Sequence, residues 1–146
     1  MTEDIKKIFI EVVENQIPMA KFIGVKVLEI DDAYVKLLFP FKDEFVGHPI
    51  KKRLHGGYTA TAIDLAGGVA SMTFMTSPDD DVATIDMRID YLRPGKAKDI
   101  IAEGKVIIKN KRSIVTDMKV YHFDKEDEII AIGRGVFRIN RKEDKC

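Results

Sequence analysis

One stretch of this sequence decides most of what the chain can become. From Gly56 to Pro78 it reads GGYTATAIDLAGGVASMTFMTSP, with Asp64 as its one charged residue. Charged residues make up 33% of the whole chain, so a gap of this length marks a segment shielded from water. The run is rich in Ala, apolar on all sides and free of a β-branched series. That pattern predicts a central helix over residues 56–75. Gly67 and Gly68 each weaken such a helix by about 1 kcal/mol relative to Ala. Close approach of a neighbouring sheet would give a reason to keep them. A membrane span is the other way to use an apolar run of this length. The Asp, the glycines and threonines, and the absence of flanking aromatic belts argue against it.

Around this helix the chain alternates in the strand period. Residues 24–30 and 34–41 flank the turn signal Asp31-Asp32 and predict a hairpin. Residues 82–92, 100–108, 114–123 and 129–139 predict four more strands, separated by Arg93-Pro94-Gly95, Asn110-Lys111 and 124–128. Residues 41–54 hold Gly47, Pro49 and mixed charges, and are expected as loop. At the N-terminus, Ile5, Ile8, Phe9, Val12 and Val13 have helical spacing. They predict one amphipathic helix, capped by Thr2 with Asp4 and ending before Pro18. The expected order is α-β-β-α-β-β-β-β in a single domain of residues 1–146, with a helix within 1–18 and a frayed tail at 141–146. Short connections imply an antiparallel sheet, and one sheet with one fully apolar helix implies an α+β fold in which the sheet curls around the helix.

Composition narrows the function. Lys plus Arg number 24 and Asp plus Glu number 24, so nothing favours nucleic acid as a partner, and a near-neutral surface permits self-association. The single cysteine, Cys146, cannot form an internal disulfide. With no basic-then-apolar leader at the N-terminus, the expected location is the cytoplasm. The three His are scattered, so no metal site is expected. Neither a phosphate loop nor a G-x-S-x-G elbow is present.

The chemistry gathers at the helix start. Asp64 inside an apolar helix is costly unless it is paired, hydrogen-bonded or protonated, which makes it the first catalytic candidate. Leu54-His55-Gly56-Gly57 opens the helix without a Ser, Thr, Asp or Asn cap. Its first N–H groups are expected to be free to receive an oxyanion or a carbonyl oxygen. Asp64 follows Gly57 by seven residues, about 10 Å along the axis. One chain therefore cannot bring both to the same carbonyl, and a site using both needs two subunits.

His55-Gly56-Gly57, six residues, then Asp64 closely resembles the hot-dog-fold acyl-CoA thioesterases of the PaaI type. Val46-Gly47-His48-Pro49 is similar to a V-G-N-P in one branch of that family. Ala83-Thr84-Ile85-Asp86-Met87, Tyr91-Leu92-Arg93-Pro94 and Ala131-Ile132-Gly133-Arg134-Gly135 are similar to its later strands. The resemblance implies a hot-dog fold with six strands, and hydrolysis of acyl-CoA without a cofactor beyond the substrate's own coenzyme A. It also implies a homodimer joined through residues 82–92, with two dimers forming a tetramer. Asp64 would be nucleophile or general base, the Gly57 N–H would polarise the thioester carbonyl, and Thr84 would hold the carboxylate or the attacking water. His48 stands where the family usually has Asn.

Other residues have plainer uses. Asp64 could be a structural group bonded to nearby backbone. His55 could fix its loop through a backbone bond, and His122 could be a surface or packing residue. Lys51, Lys52, Arg53 and Arg93, with the His55-Gly56 backbone, are candidates for contact with coenzyme A, or else solvated loop. The competing function is a non-catalytic acyl-CoA binding or sensing module. The roughly 20 residues before the first strand leave no room for the helix-turn-helix such a regulator would carry.

Overall fold

Helix starts and stops follow the local chemistry of the chain. The structure, a computed structural model, describes residues 1–141; of the expected frayed tail, residues 142–146 lie outside them, whereas Arg141 is not frayed but paired with Asp80 at 2.7 Å. Helix α1 (Glu3–Glu11) begins where the Thr2 hydroxyl accepts the Ile5 N–H at 3.4 Å. The expected N-terminal helix does end before Pro18, but its last turn is π-helical and it is followed by a second helix that the sequence did not predict. After α1 come a π-helical turn (Val12–Gln16) and a second helix, α2 (Pro18–Ile23). Pro18 lacks the N–H needed to continue the first helix, and its fixed φ suits the first position of the next. Gly24, at φ 86°, closes α2 by returning its N–H to Ala20 and Lys21.

Six long strands follow: β1 (Lys26–Asp31), β2 (Tyr34–Phe39), β5 (Asp81–Tyr91), β6 (Ile100–Lys109), β7 (Ser113–His122) and β8 (Ala131–Asn140). All pairings are antiparallel, in the order β1-β2-β6-β7-β8-β5. The sheet curls around helix α3 (Gly56–Met72), which packs on β2, β5, β6, β7 and β8. This is the hot-dog arrangement. Helix α3 stops three residues before the expected end because the Thr73 hydroxyl donates to Ala70 O at 2.7 Å and accepts the Ala33 N–H at 3.1 Å. Residues 41–54 are more ordered than expected. A 3-10 turn (Asp43–Phe45) leads into a two-stranded hairpin of β3 (Val46–His48) and β4 (Arg53–Leu54). No helix among the described residues is long and apolar enough to cross a membrane.

Two glycines set how deeply α3 sinks into the sheet. A Cβ on Gly104 of β6 would lie 2.3 Å from the Ala66 carbonyl oxygen, so strand and helix backbones touch there. A Cβ on Gly67 would lie 2.5 Å from the ring of the fully buried Phe137. Gly67 thus has the close-approach role that its helix-weakening cost suggested.

The two sheet edges differ. Strand β1 is partly covered: the π turn packs on it, and Glu14 accepts the Val27 N–H at 2.9 Å and pairs with Lys26 at 2.8 Å. Strand β5 has eleven residues, no strand on its outer side among the described residues, and exposed Ile85 and Tyr91.

Gly104→Ala pushes β6 against backbone that cannot swing aside. It is expected to lower the unfolding free energy by about 2–4 kcal/mol, at or above the usual cost of overpacking a core. Urea denaturation checks this; a variant as stable as the parent would show that the helix rides higher than described.

Candidate active site

Strand β5 runs antiparallel to α3, so the Asp64 region of the helix faces the start of the strand. The Thr84 hydroxyl donates to Asp64 Oδ1 at 2.7 Å. The strand reaches this position through a bulge. Thr84 pairs with Phe137 and Asp86 with Val136, leaving Ile85 as the extra residue. Met87 and Ile89 pack inward on one side of the bulge, and Val82 on the other. Side chains alternate along a strand, so the extra residue is what puts Thr84 on the helix side. Asp64 itself is half-buried rather than sealed in the core. It lies in a groove of about 460 Å³ with Val12 and Ile17 of the N-terminal segment, Met72 and Met75. The desolvation inferred from the apolar sequence is therefore partial, because one face of α3 is open here.

The N-terminal end of the helix carries the remaining candidates. His55 is the N-cap of α3, and its Nδ1 accepts the Gly57 N–H at 2.8 Å. The expectation of an uncapped start fails: an imidazole nitrogen does the work usually left to a hydroxyl or carboxylate. His55 also bonds by its backbone, N–H to Phe45 O at 2.8 Å, and a Cβ on Gly47 would lie 2.8 Å from His55 Cα. The β3–β4 hairpin therefore lies against the helix start. His48 is exposed on it, with Nδ1 accepting the Lys51 N–H at 3.1 Å. A backbone N–H can only donate, so the neutral His48 ring carries its proton on Nε2, as a donor. Lys51, Lys52, Arg53 and Arg93 are all exposed at this end. A hollow of about 300 Å³ between Leu54, Gly56, Tyr91, Arg93 and Gly95 opens beside them. The Tyr91 hydroxyl donates to Gly56 O at 3.0 Å and ties the end of β5 to the helix start.

Tyr58, on the first turn, donates to Pro40 O at 2.8 Å and stacks on Phe45 at 4.1 Å. Burial, with the Asp99 charge second, pushes its hydroxyl well above the ordinary tyrosine range, so it stays a donor. His122 is a buried fixing group. Nε2 accepts the Lys96 N–H and Nδ1 donates to Asp99 O, both at 2.9 Å. Among the described residues, no group of three or more His, Cys, Asp or Glu side chains is placed to hold a metal ion.

The candidate residues thus fall into two groups. Asp64 and Thr84 form one, and Gly57, His55, His48 and the basic residues form the other. They lie on the same face of α3 but about 10 Å apart along its axis. The groove walls from the N-terminal segment and the Ile85 bulge escaped the sequence reading. The switch from odd to even apolar positions between Met87 and Val82 is the signal that could have shown the bulge.

Residues 52–129 match the thioesterase superfamily model. The chain belongs to that superfamily. A Halobacterium salinarum protein named as an esterase is 34% identical over 131 residues, 86% of each chain. The Escherichia coli medium/long-chain acyl-CoA thioesterase YigI is 24% identical over 132 residues, 82% of this chain and 85% of that one. A solved protein of Shewanella oneidensis, described as related to the thioesterase superfamily, superposes with a TM-score of 0.80. It is 29% identical and covers 94% of this chain and 96% of its own. Hydrolysis of an ester or thioester is the activity that the names of the first two relatives carry.

His55→Ala removes the cap of α3. It is expected to lower stability by about 1 kcal/mol, the typical loss for an N-cap. His55→Asn, whose amide oxygen can accept the same N–H, should recover most of it. Urea denaturation at fixed protein concentration checks both; no loss in His55→Ala would show that the cap carries no stability.

Proposed function

We propose that this chain hydrolyses acyl-CoA thioesters, as a PaaI-type enzyme, at sites shared between two copies of itself. The observation that carries this is the Thr84–Asp64 hydrogen bond, which aims a half-buried carboxylate into an apolar groove. The thioester carbonyl would sit at the helix start of one subunit, on the Gly57 N–H, with Asp64 supplied by the other. Acting as a base, Asp64 takes a proton from water as the water oxygen bonds the carbonyl carbon. The resulting oxyanion is held by Gly57. The C–S bond then breaks and the proton passes to the departing thiolate, giving the acid and coenzyme A. As a nucleophile, Asp64 would instead bond the carbonyl carbon, expel the thiolate and leave an anhydride for water to cleave. In either route Thr84 orients the Asp64 carboxylate. The group of residues at the helix start also has to give something up: His55 Nδ1 must share or release the Gly57 N–H when the carbonyl arrives. The His48 Nε2–H can add a second donor in the place of the family's Asn. Lys51, Lys52, Arg53 and Arg93 surround the hollow at the helix start, where they can meet the phosphates of coenzyme A, with the His55-Gly56 backbone alongside.

The open β5 edge supports the assembly. Pairing β5 with its copy would satisfy the exposed backbone and cover Ile85. It would also place two copies of α3 side by side, which the 10 Å separation of the half-sites requires. Two such dimers joining as a tetramer is the further expectation. A second reading, an acyl-CoA binding module without turnover, is favoured by one observation: the Gly57 N–H is already engaged by His55.

A thiol-release assay over acyl-CoA substrates separates these. The parent protein should turn over, and Asp64→Asn should keep the fold and lose at least about a hundredfold in kcat, the low end for a positioned acid or base. Retained turnover in Asp64→Asn would remove Asp64 from the chemistry; a folded parent without turnover would favour the binding module. In the same assay His48→Asn should stay active. His48→Ala should lose about 2–4 kcal/mol of transition-state stabilisation, as for one lost oxyanion donor; three equal rates would make His48 an ordinary loop residue.

Assembly is checked by sedimentation at micromolar concentration. A dimer or tetramer is expected, and an active monomer would overturn the shared site.

A further inference from the structure

We infer that the groove beside Asp64 takes an unbranched aliphatic acyl chain of about eight to twelve carbons, and that Gly68 is the residue that admits it. This rests on the thioesterase reading above and goes on to name the acyl group.

Asp64 and Thr84 stand at one end of the groove. From there it follows α3 past Leu65, Gly68 and Val69 to Met72 and Met75, with Val12 and Ile17 forming the opposite wall. Its far end is fixed. Asp80, also in the lining, is buried and accepts the Thr76 and Ser77 N–H groups at 3.0 and 3.2 Å and Arg141 Nη1 at 2.7 Å. Arg141 reaches Phe74 O as well, at 3.3 Å. These bonds tie the turn after α3 to the end of β8 and make a firm stop.

The dimensions select the chain. Asp64 to Met72 is eight residues, about 12 Å of helix. Three bonds of an extended chain span about 3.3–3.6 Å, so about ten bonds fit. At about 30 Å³ per water-sized group, 460 Å³ holds roughly fifteen such groups, enough for the chain and the thioester carbonyl. The walls are chiefly aliphatic, with Phe137 as the one aromatic ring among the described lining residues, and two methionines can adjust to a flexible chain. Among the described residues no lysine or arginine lines the groove, and Arg141 at its far end is already paired with Asp80.

Gly68 lies one turn beyond Asp64, on the same face of the helix. Its neighbour Gly67 is required by packing, but Gly68 is not. A Cβ at Gly68 would meet only Phe137 Cε1, at an ordinary 3.8 Å. The backbone is helical, so a larger residue suits it better than Gly does. What the missing side chain leaves is space directly beside the carboxylate, at the entrance to the groove. A leucine there would fill it.

The test compares parent, Gly68→Ala and Gly68→Leu on acetyl-, butyryl-, octanoyl-, decanoyl-, dodecanoyl- and hexadecanoyl-CoA. Binding of the thioethers S-ethyl-CoA and S-decyl-CoA is measured alongside by calorimetry. Each buried methylene is worth about fourfold. The parent should therefore prefer decanoyl- over acetyl-CoA by at least about a hundredfold in kcat/KM, and fall off at hexadecanoyl. Gly68→Leu should cut that decanoyl-to-acetyl ratio at least about tenfold, with Gly68→Ala in between. If the parent turns over but prefers acetyl-CoA, or Gly68→Leu leaves the ratio unchanged, the inference falls and the hydrolase reading stands. If no acyl-CoA is hydrolysed, the hydrolase reading falls. Tighter binding of S-decyl- than S-ethyl-CoA, weakened in Gly68→Leu, then still supports the groove, and equal binding overturns it. Should Gly68→Leu fail to fold, a decanoyl-to-acetyl ratio in Gly68→Ala equal to the parent's overturns the role of Gly68.

Discussion

The contact between the backbone of β6 and the backbone of α3, at Gly104 and Ala66, fixes everything around the site. A sheet and a helix normally stand apart by the length of their side chains. Here they meet without one, and the curl of the sheet follows from that depth. Gly67 continues the approach on the β8 side, where Phe137 fills the space. With α3 sunk this far, its start and its middle come near the sheet edge formed by β5. Tyr91 then reaches Gly56, and Thr84 reaches Asp64. The positions of Asp64 and Gly57 are therefore set by packing in the core rather than by loops.

Each proposed half-site already has its key polar group in use. Thr84 holds Asp64, and His55 holds the Gly57 N–H. The two bonds differ in what they do for a substrate. The first leaves the other Asp64 oxygen available and orients the carboxylate. The second occupies the donor that the proposed oxyanion would use, so arrival of the carbonyl exchanges one acceptor for another. Such an exchange costs little when the incoming oxygen carries more charge than the imidazole nitrogen, which is the condition in the transition state.

Much of this was legible in the sequence, because burial pattern and turn chemistry agree along most of it. The apolar run with one Asp predicted α3, and the four later strands begin and end within a few residues of expectation. Three features were not legible. Pro18 was read only as a helix stop, although its fixed φ also starts α2. Residues 46–54 pair through so few backbone bonds that their strands leave no alternation to see. The cap of α3 was missed because His is not a usual N-cap, and only the three-dimensional turn shows its Nδ1 above the Gly57 N–H. Asp64 stood out in the sequence by its apolar surroundings, but sequence could not show that the N-terminal segment and α3 leave a groove between them there.

His122 carries a consequence of its own. With both ring nitrogens committed to the backbone of residues 96 and 99, it immobilises the connection from β5 to β6 from within the core. That connection also receives the Leu54 N–H at Gly95 O, 2.9 Å, just before the helix start. Arg93 and the entrance to α3 are thus held in fixed relation before any ligand binds. The entropy of ordering this segment is lost during folding, and a ligand gripping both sides of the hollow does not have to supply it.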